Sequence, residues 1–263
     1  MLKLIRRPVT EFLGLEHQHG LRARVDAARA LAEDATLTTA EKSKRIGQRW
    51  DDFRAGKTSR GTFASLWCEL RVMAFDKCAL CETPGPGTVE HLQEKSSQPA
   101  AAFDWTNLLP ACDTCNRTRQ NSGLAAKPLD SSDASVEPLD YLGWDEYGDF
   151  SPRPEHQGSI RDLVTMYGLH RLREERGKTV KVFRALLASL VLEDVVDAKI
   201  VEAVRALLNP TSASLGPIRE FLLRPPTEED GLLTQGALRR MPEIRTLVQP
   251  WLRPPSWSPA WWR

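Results

Sequence analysis

The 263-residue chain has no apolar run approaching the roughly 20 residues that cross a bilayer. Its opening residues, Met1 to Arg7, also lack the apolar stretch of a secretory signal. A cytoplasmic protein with no membrane partner is therefore expected. Charge of one sign is missing too, with 36 basic against 35 acidic residues and a net charge of +1. So neutral a chain holds nucleic acid only through a local patch or with a partner's help, because no global positive field draws in phosphate. There are only five cysteines, and four of them form two Cys-x-x-Cys pairs, a spacing that in a reducing compartment reads as metal binding and not as a disulfide framework. Internal repeats and sustained heptads are absent, which excludes solenoids and coiled coils.

What is present is a chain long enough to bury a core without covalent staples. Leu21, Val25, Ala28 and Leu31 recur at helix spacing, and Ile46, Trp50 and Phe53 recur again after Thr38 and Glu41, a capping-box pair. A third helical face carries Phe63, Leu66, Trp67, Leu70, Met73 and Ala74, with Cys68 expected as a buried thiol of the same pattern. Residues Leu2 to Ile5 are the strand candidate of this region. Thr83 to Gly87 is a loop by its Pro and Gly content. Residues 126–158 read as an extended, wrapping segment anchored by Tyr141, Leu142, Trp144, Tyr147 and Phe150. Helical periodicity returns after residue 158, through Ile160, Leu163, Val164 and Tyr167, then Phe183 to Val191, then Ile200 to Leu208 ahead of Asn209-Pro210. Trp251, Trp257, Trp261 and Trp262 close the chain without a period, suited either to a partner or to the chain's own helices. The expected regions are 1–77 (helical), 78–125 (the cysteine core), 126–158 (the wrapping segment) and 159–263 (helical).

Cys78 and Cys81 are separated from Cys112 and Cys115 by thirty residues. Four thiolates complete a tetrahedral Zn²⁺ with no open position, so that ion is structural. Between and after the pairs stand Glu90-His91, Asn107-Leu108-Leu109 and Asn116. In this order the residues of 78–121 resemble the HNH, or ββα-metal, nucleases. The resemblance implies a core of two strands and a helix, so the expected fold class is mainly α with a small zinc-stapled ββα-metal core, α+β. Extended through Phe103, Asp104, Trp105 and the Leu163–Arg173 stretch, the pattern is similar to the HNH component of Septu-type anti-phage systems, the PtuB-like proteins. That likeness implies a nuclease effector paired with an ATPase of the ABC or structural-maintenance (SMC) type.

Phosphodiester hydrolysis needs a base for water and positive charge where the leaving oxygen develops its own. His91 suits the base, since a neutral imidazole accepts a proton while a backbone carbonyl holds its other nitrogen. The resemblance implies that Glu90 and Asn116 hold a catalytic divalent ion and that Asn107 orients the hairpin. Oxygen ligands with water sites left over suit Mg²⁺ or Mn²⁺. Lys95 matches a basic position of relatives, although Glu94 stands where many of them carry proline. Arg117 and Arg119, on the helix after Asn116, and Lys127 beyond it are candidates for nucleic-acid backbone contacts, against the plainer reading of a solvated helix face. DNA ranks ahead of RNA as substrate. An RNA-cleaving toxin using the same site and a non-catalytic zinc knuckle that only binds nucleic acid or protein are the alternatives. His17, His19, His156 and His170 carry no partner pattern.

Overall fold

In the computed structural model, which describes residues 1–57, 61–122, 129–145 and 147–262, the chain starts as an extended stretch and not as a strand. Residues 2–5 form no ladder among the described residues. Met1, Leu2 and Leu4 are buried, and the Leu4 N–H donates to the Ser131 carbonyl at 2.9 Å, so the stretch is a plug held by side-chain burial. Helix α1 (Val9–Phe12) and helix α2 (Leu15–Glu33) follow, the latter burying Leu21, Ala28 and Leu31. Helix α3 (Thr39–Arg54) begins at the capping box, in which Thr38 Oγ1 accepts from Glu41 N–H at 3.3 Å and Glu41 Oε2 accepts from Thr38 N–H at 2.8 Å. It buries Ile46, Trp50 and Phe53. Helix α4 (Thr62–Met73) turns Leu66, Leu70 and Met73 inward. Cys68 is exposed and not a core thiol, because it stands two residues, about 200° of helix rotation, from both Leu66 and Leu70.

Strands β1 (Thr88–His91) and β2 (Leu108–Ala111) pair antiparallel with Glu90 opposite Leu109 and His91 opposite Leu108. Helix α5 (Asp113–Ser122) follows directly and packs on β1. The segment expected to be extended holds more regular structure than its turn-rich composition suggests: helix α6 (Pro138–Tyr141) and a two-stranded sheet of β3 (Leu142–Trp144) and β4 (Phe150–Pro152). Leu139, Leu142 and Phe150 are its buried anchors, whereas Tyr147 is 52% exposed. Gly148, at φ +81°, lies so close to α8 (Arg173–Leu192) that a Cβ would meet the Gly177 amide nitrogen at 2.2 Å.

Helix α7 (Gln157–Met166) precedes α8. Helices α9 (Ala198–Leu207), α10 (Leu215–Leu223), α11 (Glu228–Arg240) and α12 (Ile244–Val248) complete the C-terminal half. The tryptophan-rich end folds back on its own chain: Trp251 and Trp262 are buried, and the Trp251 indole N–H donates to the Leu208 carbonyl at 2.9 Å. One apolar cluster runs through Leu31, Phe53, Leu109, Leu139, Phe183 and Trp251, so residues from all four sequence regions share it. A second cluster surrounds the cysteines with Leu142, Ile160, Leu163 and Tyr167. The fold is mainly helical with two small antiparallel sheets, and no helix among the described residues is long and apolar enough to cross a membrane.

Candidate metal centre and cleft

The four cysteines of the two pairs come together although thirty residues separate them. Cys78 and Cys81 stand in a tight turn after α4, where Cys78 N–H donates to Thr83 O and Glu82 N–H to Cys78 O, both at 2.9 Å. Cys112 precedes α5 and Cys115 occupies its first turn. Their Sγ atoms all lie within 4.8 Å of one another, and Cys81 and Cys112 are 3.7 Å apart. A tetrahedral ion with metal–sulfur bonds of about 2.3 Å sets sulfurs about 3.8 Å apart, so the cluster fits a metal such as zinc. Arg171 stands against it, with Nη2 3.1 Å from Cys115 Sγ and 3.9 Å from Cys112 Sγ, while Nη1 donates to the Tyr167 and Gly168 carbonyls at 2.7 and 2.8 Å. Sequence reasoning missed Arg171, because nothing local to it marks a thiolate neighbour.

Alternation along β1 separates the next set of groups. Thr88 and Glu90 face α5: Asn116 Nδ2 donates to Thr88 Oγ1 at 3.1 Å, and Arg119 pairs with Glu90 Oε1. His91 faces α3, edge-on to the Trp50 ring at 4.5 Å. A cleft of about 450 Å³ opens between α3 and the β1–α5 unit, and Glu90, His91 and Asn116 all line it.

His91 is 7% exposed, and its Nε2 lies 3.0 Å from the Ala102 carbonyl oxygen. A carbonyl only accepts, so Nε2 carries the proton and Nδ1 keeps a lone pair. Burial, with Lys95 and Arg54 nearby, lowers the imidazole to about 3, and the ring is neutral at pH 7. Glu90 is 2% exposed, and its Oε2 has no hydrogen-bond partner, an arrangement that is costly for a buried carboxylate oxygen. Asn116 Oδ1 accepts from Gln120 Nε2 at 3.3 Å and has a second lone pair to offer.

Asn107 does not line the cleft. Its Oδ1 accepts from Gln93 N–H at 2.6 Å, and its Nδ2 donates to the Gln93 and Ala101 carbonyls at 3.0 and 2.9 Å. It thereby clasps both ends of the loop joining β1 to β2 and holds the residue before Ala102, whose carbonyl fixes His91.

Among the expected phosphate-contacting residues the structure redraws the map. Lys95 lines the cleft, with Nζ 5.3 Å from the Trp50 ring centroid. Arg117 is exposed and is not among the cleft-lining residues. Arg119 lines the cleft but is 7% exposed, and its Nη atoms are committed to Glu90 and to the His91 and Leu92 carbonyls while Nε has no hydrogen-bond partner, so it is a buried strut and not a surface cation. Lys127 lies outside the described residues. Glu94 is half exposed, with one carboxylate oxygen 3.7 Å from Arg119 Nε. His17 Nδ1 meets Thr62 Oγ1 at 3.0 Å, His156 stacks on Tyr141 and His170 meets Asp149. Among the described residues the cysteines are the one group of three or more His, Cys, Asp and Glu side chains close enough to share an ion.

The opposite wall of the cleft belongs to α3, through Ser43, Gly47, Trp50, Asp51 and Arg54. This stripe at helix spacing is visible in the sequence once a facing surface is known, but the sequence does not say what it faces. No family model matches the chain, and no curated protein matches it either.

Proposed function

We propose that this protein is a metal-dependent endonuclease of the HNH, or ββα-metal, type that hydrolyses phosphodiester bonds of nucleic acid, DNA ahead of RNA. The observation carrying this reading is that His91, with a free Nδ1, and Glu90, with a bare Oε2, line one cleft together with Asn116. Glu90 Oε2 and Asn116 Oδ1 are hard oxygen donors that suit Mg²⁺ or Mn²⁺. When bound, such an ion supplies positive charge for the phosphate and for the departing oxygen.

The chain's own residues do the rest. Ala102 holds the imidazole in the tautomer that offers Nδ1 to water, and burial keeps the ring neutral at pH 7 and so able to accept a proton. Arg119 fixes one oxygen of Glu90 so that the other is the one left to bind. Asn107 keeps the β1–β2 loop closed beneath His91. Zn²⁺ in the Cys78, Cys81, Cys112 and Cys115 centre is scaffold, because four thiolates leave no site for substrate. A role as nuclease effector of an anti-phage system, acting with an ABC- or SMC-type ATPase, follows from the motif resemblance and is part of the same proposal.

The test is incubation with plasmid, single-stranded DNA and RNA, with and without Mg²⁺ or Mn²⁺. Cutting is expected only with the divalent ion, and His91→Ala is expected to lower it by about 10²- to 10⁴-fold, as for loss of a general base. Zinc content and circular dichroism of the variant should match the wild type. Full activity of His91→Ala sinks the mechanism; binding without any cutting points to a non-catalytic knuckle.

A further inference from the structure

Arg54 closes α3 and belongs to the stripe that walls the cleft opposite Glu90 and His91. It is exposed and has no hydrogen bond or ion pair among the described residues, unlike Arg7, Arg119, Arg153 and Arg219, each of which meets a carboxylate. Lys95, from the loop after β1, lines the same cleft and likewise lacks an ion pair among the described residues. Of the carboxylates on these walls, Glu90 pairs with Arg119 and Glu94 lies toward Arg119, while Asp51 makes no direct ion pair with Arg54 or Lys95 among the described residues but lies near enough to Lys95 to favour its charged form.

We infer that Arg54, on a helix outside the cysteine frame, is a phosphate-binding residue of this cleft and acts together with Lys95; this rests on the nuclease reading of the same cleft. Two cations facing one cleft repel, and an anion between them relieves whatever repulsion Asp51 on the same wall does not offset. Burial lowers Lys95, Asp51 opposes that, and Arg54 is close enough to lower it further. The plainer role for Arg54 is to complement the carbonyl end of α3. That role concerns the helix alone and gives no reason for Lys95 to converge on the same opening. The pair replaces Arg117, which stands off the cleft, and Arg119, which lines the cleft but is buried and paired with Glu90.

The experiment measures binding of a fluorescent single-stranded DNA oligonucleotide by the His91→Ala protein with Mg²⁺ present, so that the strand is not consumed. Adding Arg54→Ala is expected to weaken binding roughly tenfold, as for loss of one charge-assisted contact. The slope of log affinity against log salt should fall by about 0.7. Arg54→Lys should keep the slope, and Arg117→Ala should change neither quantity. A thermal melt of each variant separates the helix-end role, which moves stability and not the salt slope. Unchanged affinity and slope in the Arg54→Ala protein overturn the inference while leaving the nuclease reading intact. Failure of the wild type to cut any nucleic acid overturns that reading, and Arg54's role with it.

Discussion

Cys115 and Asn116 are adjacent on α5, yet they face two regions built on opposite terms. Around Cys115 the sulfur itself is fully engaged: its Sγ stands among three other sulfurs, Arg171 donates to it, and Tyr167, Leu163 and Ile160 close the space behind, with only the buried Tyr167 hydroxyl lacking a hydrogen-bond partner. Around Asn116 the groups are left unfinished. Glu90 Oε2 is buried without a donor, His91 keeps a lone pair and no proton on Nδ1, and Arg54 and Lys95 make no direct ion pair among the described residues. A scaffold centre gains stability by satisfying its ligands, whereas a reactive centre holds ligands unsatisfied and relies on the surrounding fold to bear the cost. The hairpin β1–β2 serves both, because alternating residues of one strand look to different neighbours.

If that contrast holds, breaking the cysteine side should cost the fold and breaking the cleft side should not. The largest expected effect is therefore that of Cys78→Ser or Cys115→Ser. Structural zinc contributes roughly 10–16 kcal/mol of apparent binding energy in small zinc peptides, comparable with the whole stability of a domain, about 5–15 kcal/mol. Either variant is expected to lose bound zinc and its cooperative melt, read by metal analysis and thermal circular dichroism. His91→Ala should keep both. A Cys78→Ser protein that melts like the wild type would mean that the apolar clusters hold the hairpin unaided.

Asn107 sits between the two regions and sharpens the contrast. It is 5% exposed, and removing its amide strands the Gln93 N–H and the Gln93 and Ala101 carbonyls. Asn107→Ala is expected to destabilise by about 1–3 kcal/mol, the cost of buried groups left unsatisfied, measured by urea unfolding. Because Ala101 precedes the carbonyl that fixes His91, cleavage should fall as well, under conditions where the variant is still fully folded. Zinc content should not change. Asn107→Asp keeps the acceptor and loses the donor, so it should recover part of the stability. Equal cleavage by folded wild type and Asn107→Ala would detach the loop from His91.

What could be read from the sequence was what is local. The Thr38–Glu41 box starts α3 because its two partners lie three residues apart, and the Cys-x-x-Cys pairs declare their geometry in four residues. The Glu90, His91 and Asn116 set was legible as residues in order, but the wall facing them was not, because α3 reaches the cleft across some forty residues of chain. Arg119 was read as a surface cation because its helix is polar in composition; only the close approach of β1 buries it. The β3–β4 sheet escaped notice because strands of three residues are too short to show alternation. Helix α10 was hidden by Gly216 and Pro217 in its first turn, where helices tolerate residues that elsewhere mark loops. Cys68 lies inside the amphipathic pattern of α4 in sequence but off its buried face, a difference that only the rotation from Leu66 and Leu70 shows.

The smallest effect expected concerns Arg171, which probes how fully the cysteine side is satisfied. Four thiolates around Zn²⁺ leave a net charge of −2, and the described neighbours that offset it near Cys115 and Cys112 are the Arg171 guanidinium and the Cys115 amide, whose N–H points to Cys112 Sγ at 3.4 Å. Outer ligands of this kind typically change metal affinity by about 10- to 100-fold. Arg171→Ala is thus expected to weaken zinc retention by that factor in a chelator competition, with Arg171→Lys intermediate because an ammonium keeps the charge and loses the fork. Since Nη1 of the same residue ties the Tyr167 and Gly168 carbonyls, the chain just after α7 should become more open to proteolysis in step with zinc loss. If zinc retention is unchanged while that chain loosens, Arg171 anchors only the backbone. The thiolates would then be balanced by the remaining neighbours, the Cys115 amide, the Thr83 hydroxyl and the more distant Arg176, and the cysteine side would be less completely satisfied than its geometry indicates.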